Sequence, residues 1–304
     1  MNVVRSGARR ASPDARSGRL ATVPRSRVSP IVVGLTLAAA CGRTGLELDE
    51  FERVAPRVHE AVPGDDAGTP DAPDAAPVVS KTHVLRTFDP ATLAFATIGT
   101  LDCPTASMPY SMAVDRKGNA YVVYNDGTLF HVSTKTAACT PTPFSIGQDM
   151  FVKFGMGFSA DTGTSNEHLY VVGADTLTDL ATIDTSSFVL SPIGHVPDTG
   201  MELTGTGDGR LFGFYQDPND ASLSHIVALD KGTAAYQFGF ALPSIQLGAG
   251  WAFSFYGGKF WLFTAPSTTT VVTTYDPVTK TIATVASLDD VIVGAGVSTC
   301  APTE

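Results

Sequence analysis

Ser111–Phe144, SMAVDRKGNAYVVYNDGTLFHVSTKTAACTPTPF, is the stretch that decides the fold. It holds four short runs of strand character, SMAV, NAYVVYN, TLFHVS and ACTPTPF. Val, Tyr, Phe and Thr suit a pleated, half-buried surface. The clusters between them, DRKG, NDG and STKT, carry the Asp, Asn and Gly that turns require. Four strands joined by three tight turns predict one antiparallel sheet.

The outline of that sheet recurs. A turn leading into a final strand appears at Phe88-Asp89-Pro90-Ala91-Thr92, Val132-Ser133-Thr134-Lys135-Thr136, Ile183-Asp184-Thr185-Ser186-Ser187, Leu229-Asp230-Lys231-Gly232-Thr233 and Tyr275-Asp276-Pro277-Val278-Thr279. The copies lie 44 to 51 residues apart. An Asp or Ser at the first position accepts hydrogen bonds from amides just ahead, and Pro at the next presets φ. Upstream of four copies lies a second hairpin, at 111–124, 155–173, 201–215 and 251–264. The remaining copy has no upstream strand, but Val291–Cys300 at the far end supplies a candidate, and its Gly294-Ala-Gly296 echoes Gly248-Ala-Gly250. The count is four complete units, the outer half of a fifth at 78–101, and its inner strand at 291–300. A period of this length with a displaced strand predicts an all-β fold. The expected architecture is a β-propeller of five four-stranded blades, closed by the C-terminal strand completing blade 1. Such closure removes exposed sheet edges. Gly155, Gly157, Gly200, Gly248, Gly250, Gly294 and Gly296 fall where the blades converge, and glycine permits close backbone approach there.

The N-terminal quarter is different. Residues 1–40 hold seven of the chain's 20 basic residues and one of its 30 acidic ones. They end in an apolar run, Ile31–Ala40, followed by Cys41-Gly42. A basic region, a short apolar run and small residues before a cut predict a secretory signal, and ten residues are too few for a membrane-spanning helix. Cys41 after Ala38-Ala39-Ala40 resembles the bacterial lipobox, whose cysteine is lipidated and becomes the mature N-terminus; ordinary cleavage with an unmodified Cys41 is the alternative. Residues 43–80 include GDDAGTPDAPDAAP (64–77), which has no bulky apolar residue to offset chain entropy. The expected organisation is a signal peptide at 1–40, a lipidated N-terminus and Pro/Asp-rich linker at 41–80, and a propeller at 81–304. The address is the bacterial cell envelope, facing periplasm or cell surface. Beyond residue 40 the balance is 13 basic to 29 acidic residues, which repels polyphosphate and argues against nucleic acid as a partner.

Blade 2 resembles the repeats of NHL and SMP-30-like propellers over residues 109–132: a proline, an apolar strand, Asp115, Gly118-Asn119, then Tyr121-Val122-Val123. The resemblance is weaker in the other blades. In organisation the chain is similar to myxobacterial lipoproteins that pair a lipobox and a Pro/Asp spacer with a propeller. The SMP-30-like likeness implies a metal-dependent lactonase, with Glu, Asn and Asp converging on the axis. Asp149, Asp198, Glu202 and Asp290 lie near the starts of inner strands, but each at a different offset, and no such set assembles from them. Asp161–Glu167 offers oxygen ligands without the spacing of a calcium loop and reads as a long polar turn. Histidines 83, 131, 168, 195 and 225 lack zinc-ligand spacing. Gly205-Thr-Gly207-Asp-Gly209 runs into a strand rather than the helix that a phosphate loop needs, so it is a turn. Neither a cofactor, a metal nor a catalytic residue is assigned.

Aromatic residues concentrate in blades 4 and 5, Trp251 among them. Packing between blades already requires them, while exposed ones would serve as sugar platforms. Cys103 and Cys139 are paired as neighbours in the repeat, with Cys300 buried and reduced; the pair could also fall at opposite ends of the outer strands, too far apart to bond. The leading functional expectation is a lipid-anchored binding or scaffold module for a protein or glycan ligand, held to the membrane by its lipid alone. A lactonase-like hydrolase and a lectin-like propeller are the alternatives.

Overall fold

Short runs that are almost wholly apolar, such as Ala120–Tyr124 and Phe260–Phe263, bury both faces of a strand, so the sheets must stack on one another. A computed structural model describes residues 75–175, 178–198 and 200–304; the expected signal peptide, Cys41 and nearly all of the expected linker lie outside them. The chain forms β1 (Ala76–Ser80), β2 (Val84–Asp89) and β3 (Ala94–Thr100). Then come β4 (Pro109–Val114), β5 (Asn119–Tyr124), β6 (Leu129–Ser133) and β7 (Cys139–Pro141). Next are β8 (Phe154–Ala160), β9 (Glu167–Gly173), β10 (Asp179–Ile183) and β11 (Leu190–His195). They are followed by β12 (Glu202–Gly205), β13 (Leu211–Gln216), β14 (Leu223–Leu229) and β15 (Tyr236–Pro243). The last are β16 (Trp251–Tyr256), β17 (Lys259–Thr264), β18 (Thr270–Asp276), β19 (Thr281–Leu288) and β20 (Ile292–Ala295).

These make five four-stranded antiparallel sheets, four of them consecutive in sequence and the fifth ordered β20-β1-β2-β3. The protein is therefore a five-bladed propeller, and its C-terminal strand completes blade 1 by pairing Val78 with Ala295 and Val79 with Gly294. Two boundaries differ from expectation. Blade 1 takes three strands from its N-terminal side rather than two, because Ala76–Ser80, placed in the linker by its Pro- and Asp-rich approach, pairs on both edges. In blade 2 the run ACTPTPF contributes only Cys139–Pro141 to the sheet, since Pro143 has no N–H to continue the ladder.

Five apolar clusters among the described residues fill the five blade junctions. At the junction of blades 4 and 5, Phe212, Phe214, Phe253, Phe255 and Phe260 pack together, so most of the aromatic concentration is core. Inner strands approach without intervening side chains: a Cβ on Gly157 would lie 2.8 Å from the Leu203 carbonyl oxygen, and one on Gly294 would lie 2.7 Å from the Met112 nitrogen. Only glycine fits at such distances.

The five repeated turns share one chemistry. Oδ1 of Asp89, Asp184, Asp230 and Asp276 accepts from the amides two and three residues ahead, at 2.8–3.3 Å. Ser133 does the same through Oγ, at 3.3 and 3.2 Å. These bonds favour the charged form, and Asp184 is held at about 2, chiefly by the Ser186 hydroxyl. Four residues after each acceptor the backbone turns left-handed, at Leu93, Ala137, Phe188, Ala234 and Lys280, with φ between 57° and 65°.

Candidate functional site

Strands alternate direction within a blade, so inner strands all begin on one face, called upper here, and end on the lower. The axis is where a propeller gathers donor side chains, and its lining decides what chemistry it supports. Where the inner strands of blades 1 to 4 meet, the lining includes Ala113, Val114, Gly157, Leu203, Thr204 and Ala295 around a space of about 10 Å³. That is room for about one water molecule.

At the upper end a single carboxyl crosses between blades. Glu202, at the start of β12, is fully buried, and its Oε2 accepts a 2.6 Å hydrogen bond from Ser111 Oγ of β4. Ser111 Oγ in turn accepts from the Met156 amide of β8 at 3.1 Å. An inner strand has a partner on only one edge, so an amide on the other must be satisfied across the axis. One short relay thus ties blades 2, 3 and 4. Burial drives the Glu202 pKa well above the carboxylate range, against the opposing effect of the Ser111 hydrogen bond. Close by, Lys153 pairs with Asp175 at 2.9 Å and lies 5.2 Å from the Tyr110 ring centroid. Burial raises the Tyr110 phenol, with Glu202 and Asp175 adding to the effect.

The lower end is covered by the C-terminal segment. Ser298 Oγ donates to the Arg116 carbonyl of blade 2 at 3.2 Å. Thr299, only 3% exposed, donates to Glu167 of blade 3 at 2.7 Å and accepts from Arg116 Nε at 3.3 Å. Its carbonyl oxygen lies against Gly207 of blade 4, in space that a Cβ would need. The Gly257 amide of blade 5 donates to Pro302 at 2.9 Å. The tail that leaves blade 1 therefore contacts all four other blades.

The other acids noted at the strand starts are engaged separately. Asp290 holds Arg86 at 2.9 Å and Thr82 at 2.8 Å; Asp198 accepts from the Tyr236 hydroxyl at 2.8 Å. Asp149 is exposed in a short 3-10 turn with φ 45°. None joins Glu202, and among the described residues no three His, Cys, Asp or Glu side chains are arranged to hold a metal. Asp161 caps a long turn and meets His168 at 3.2 Å. The Gly205–Gly209 stretch is likewise a hairpin turn, with the Thr206 amide bonded to the Arg210 carbonyl at 3.0 Å.

Cys103 and Cys139 form a disulfide, with Cα atoms 4.9 Å apart, so the two outer positions do lie close enough. The expectation for Cys300 is corrected: it is half-buried and disulfide-bonded. A cysteine so near the chain end carries no pattern that distinguishes the two states. Trp251 packs against the Phe cluster of blades 4 and 5 and against Gly200, and is half-buried. Among the described residues the exposed aromatic is instead Phe238, at 51%. It borders a cleft of about 300 Å³ on the lower rim of blade 4, which periodicity in the sequence gives no means of locating.

No family model matches the chain, and no curated protein matches it. Among solved structures, the chain is similar to hydrazine synthase of Kuenenia stuttgartiensis, with 14% identity, a TM-score of 0.42, and coverage of 74% of this chain and 69% of that one. It is also similar to a chain of a nidogen/laminin complex, with 11% identity, a TM-score of 0.48, and coverage of 73% and 97%. The Dos1 propeller is similar at 12% identity and a TM-score of 0.37, covering 71% of this chain and 56% of that one. These likenesses carry no argument about activity.

Proposed function

We propose that the protein is an exported, lipid-anchored binding module that engages its ligand on the outer surface and catalyses no reaction. The carrying observation is the meeting of the inner strands: the lining there is apolar, Gly or Thr, the space between them fits about one water, and the nearby acid Glu202 is already bonded to Ser111. A lactonase-like hydrolase would need a converging donor set open to substrate. The disulfide Cys103–Cys139 supports an oxidising compartment, in keeping with export. A lipid on Cys41 and the acidic spacer would hold the domain off the membrane. In the test, purified protein is assayed for bound divalent metal and against a panel of lactones and esters. Turnover that depends on a stoichiometric metal overturns the proposal. The intact mass of the mature chain tests the anchor: diacylglycerol on Cys41 adds a lipid mass that survives reduction, and a mature chain without that mass overturns the anchor.

A further inference from the structure

The geometry points to a binding site for a neutral, hexose-type sugar in the cleft on the lower rim of blade 4, an assignment that rests on the binding-module reading and names its ligand class. The cleft lies between the β12–β13 turn and the β14–β15 turn, with Thr162 of blade 3 at its edge. Its volume of about 300 Å³ is at the small end of ligand sites.

Three features give the cleft its chemistry. Phe238 is half in solvent, while Phe212 and Phe240 hold its ring in edge-on contacts at 6.4 and 5.8 Å between centroids. A fixed, exposed aromatic plane suits the C–H face of a pyranose ring and gains from covering it. Beside it stand the Gln237 amide, the Asp230 carboxylate and the Arg210 guanidinium, a network of polar groups whose open positions can exchange hydrogen bonds with hydroxyls. The charges are matched. Arg210 pairs with Asp208 at 2.8 Å. Lys231 is turned to the Ala160 carbonyl at 2.6 Å, beside the Tyr170 ring. Two cations, Arg210 and Lys231, stand against two carboxylates, Asp208 and Asp230, so no excess positive charge draws an anion, and hydroxyls rather than phosphates or carboxylates fit. Asp230 is held in place by its own turn, through the Gly232 and Thr233 amides, and by Gln237 at 3.4 Å.

The test is saturation-transfer NMR of the full chain with neutral mono- and disaccharides, together with glucuronate and inorganic phosphate. At least one neutral sugar should bind at millimolar concentration, and Phe238→Ala and Gln237→Ala should each weaken it tenfold or more, Gln237→Ala without lowering Tm because its side chain is exposed. Binding by none of the neutral sugars overturns the assignment, as do wild-type affinity in Phe238→Ala and a preference for glucuronate or phosphate. None of these results bears on the metal and hydrolysis assays, which decide the binding-module reading separately.

Discussion

Ser111 and Glu202 lie on inner strands of two blades that are not neighbours, and the 2.6 Å hydrogen bond between them spans the axis. It places an ionisable group where there is almost no water. The folded carboxyl has a pKa well above the 4.5 of an exposed glutamate, so folding takes up a proton between those two values. This group's contribution is therefore most favourable below about pH 4.5 and declines as pH rises towards the raised value. Glu202→Gln, which keeps an acceptor for Ser111 and cannot ionise, should flatten that decline and equal or exceed wild-type stability at pH 8. Glu202→Ala should cost about 1–3 kcal/mol by leaving buried polar groups unmatched. Denaturant titrations at pH 5 and pH 8 measure both; an unchanged slope in Glu202→Gln would contradict the account.

The left-handed residue that ends each repeated turn should be replaceable by glycine with a gain. Lys280 is exposed, with φ 58°. Lys280→Gly should stabilise by about 0.5–1 kcal/mol, the left-handed penalty less the extra chain entropy of glycine. That is a rise of about 1–4 °C in Tm for a domain of this size. A fall in Tm would mean that the strain is relieved by contacts of the lysine stem.

The C-terminal strap makes a directional claim. Thr299→Val keeps the shape but loses the bonds to Glu167 and Arg116, and should cost about 1–2 kcal/mol. Ending the chain after Val297 should speed hydrogen exchange at the Gly257 amide, whose acceptor Pro302 is then gone. Unchanged protection at Gly257 would show that the tail does not hold blade 5.

The Cys103–Cys139 bond joins residues 36 apart in sequence. By the chain-entropy relation, a loop of that length corresponds to about 3.5–4 kcal/mol. The double variant Cys103→Ser, Cys139→Ser should unfold at correspondingly lower denaturant; a loss under about 1 kcal/mol would mean that the neighbouring contacts already restrict the unfolded chain.

The fold was legible because its signals are local. Asp and Ser at the head of each turn, and alternating runs on either side, identify hairpins without knowledge of neighbours. Glycines 155, 157 and 294 revealed close packing for the same reason: nothing else explains them at the starts of strands. The site was not legible. Leu93, Ala137, Phe188, Ala234 and Lys280 share a left-handed backbone yet carry no residue type that announces it. Glu202 and Ser111 are 91 residues apart, and their contact follows only once five blades close on an axis. Phe238 and Trp251 look alike as aromatics within alternating strands; a register shift beside Leu229 on the partner of β15 accompanies the placing of Phe238 at the surface.

The central claim is that the axis is closed to metal and substrate, and a metal titration followed by thermal unfolding tests it most directly. A cation bound only by the folded state raises Tm with concentration, by about 2.7 kcal/mol of added stability at a hundredfold excess over its dissociation constant. Calcium, magnesium, manganese and zinc should each leave the Tm of wild type and of Glu202→Gln unchanged. A saturable rise in wild type that disappears in Glu202→Gln would contradict the account.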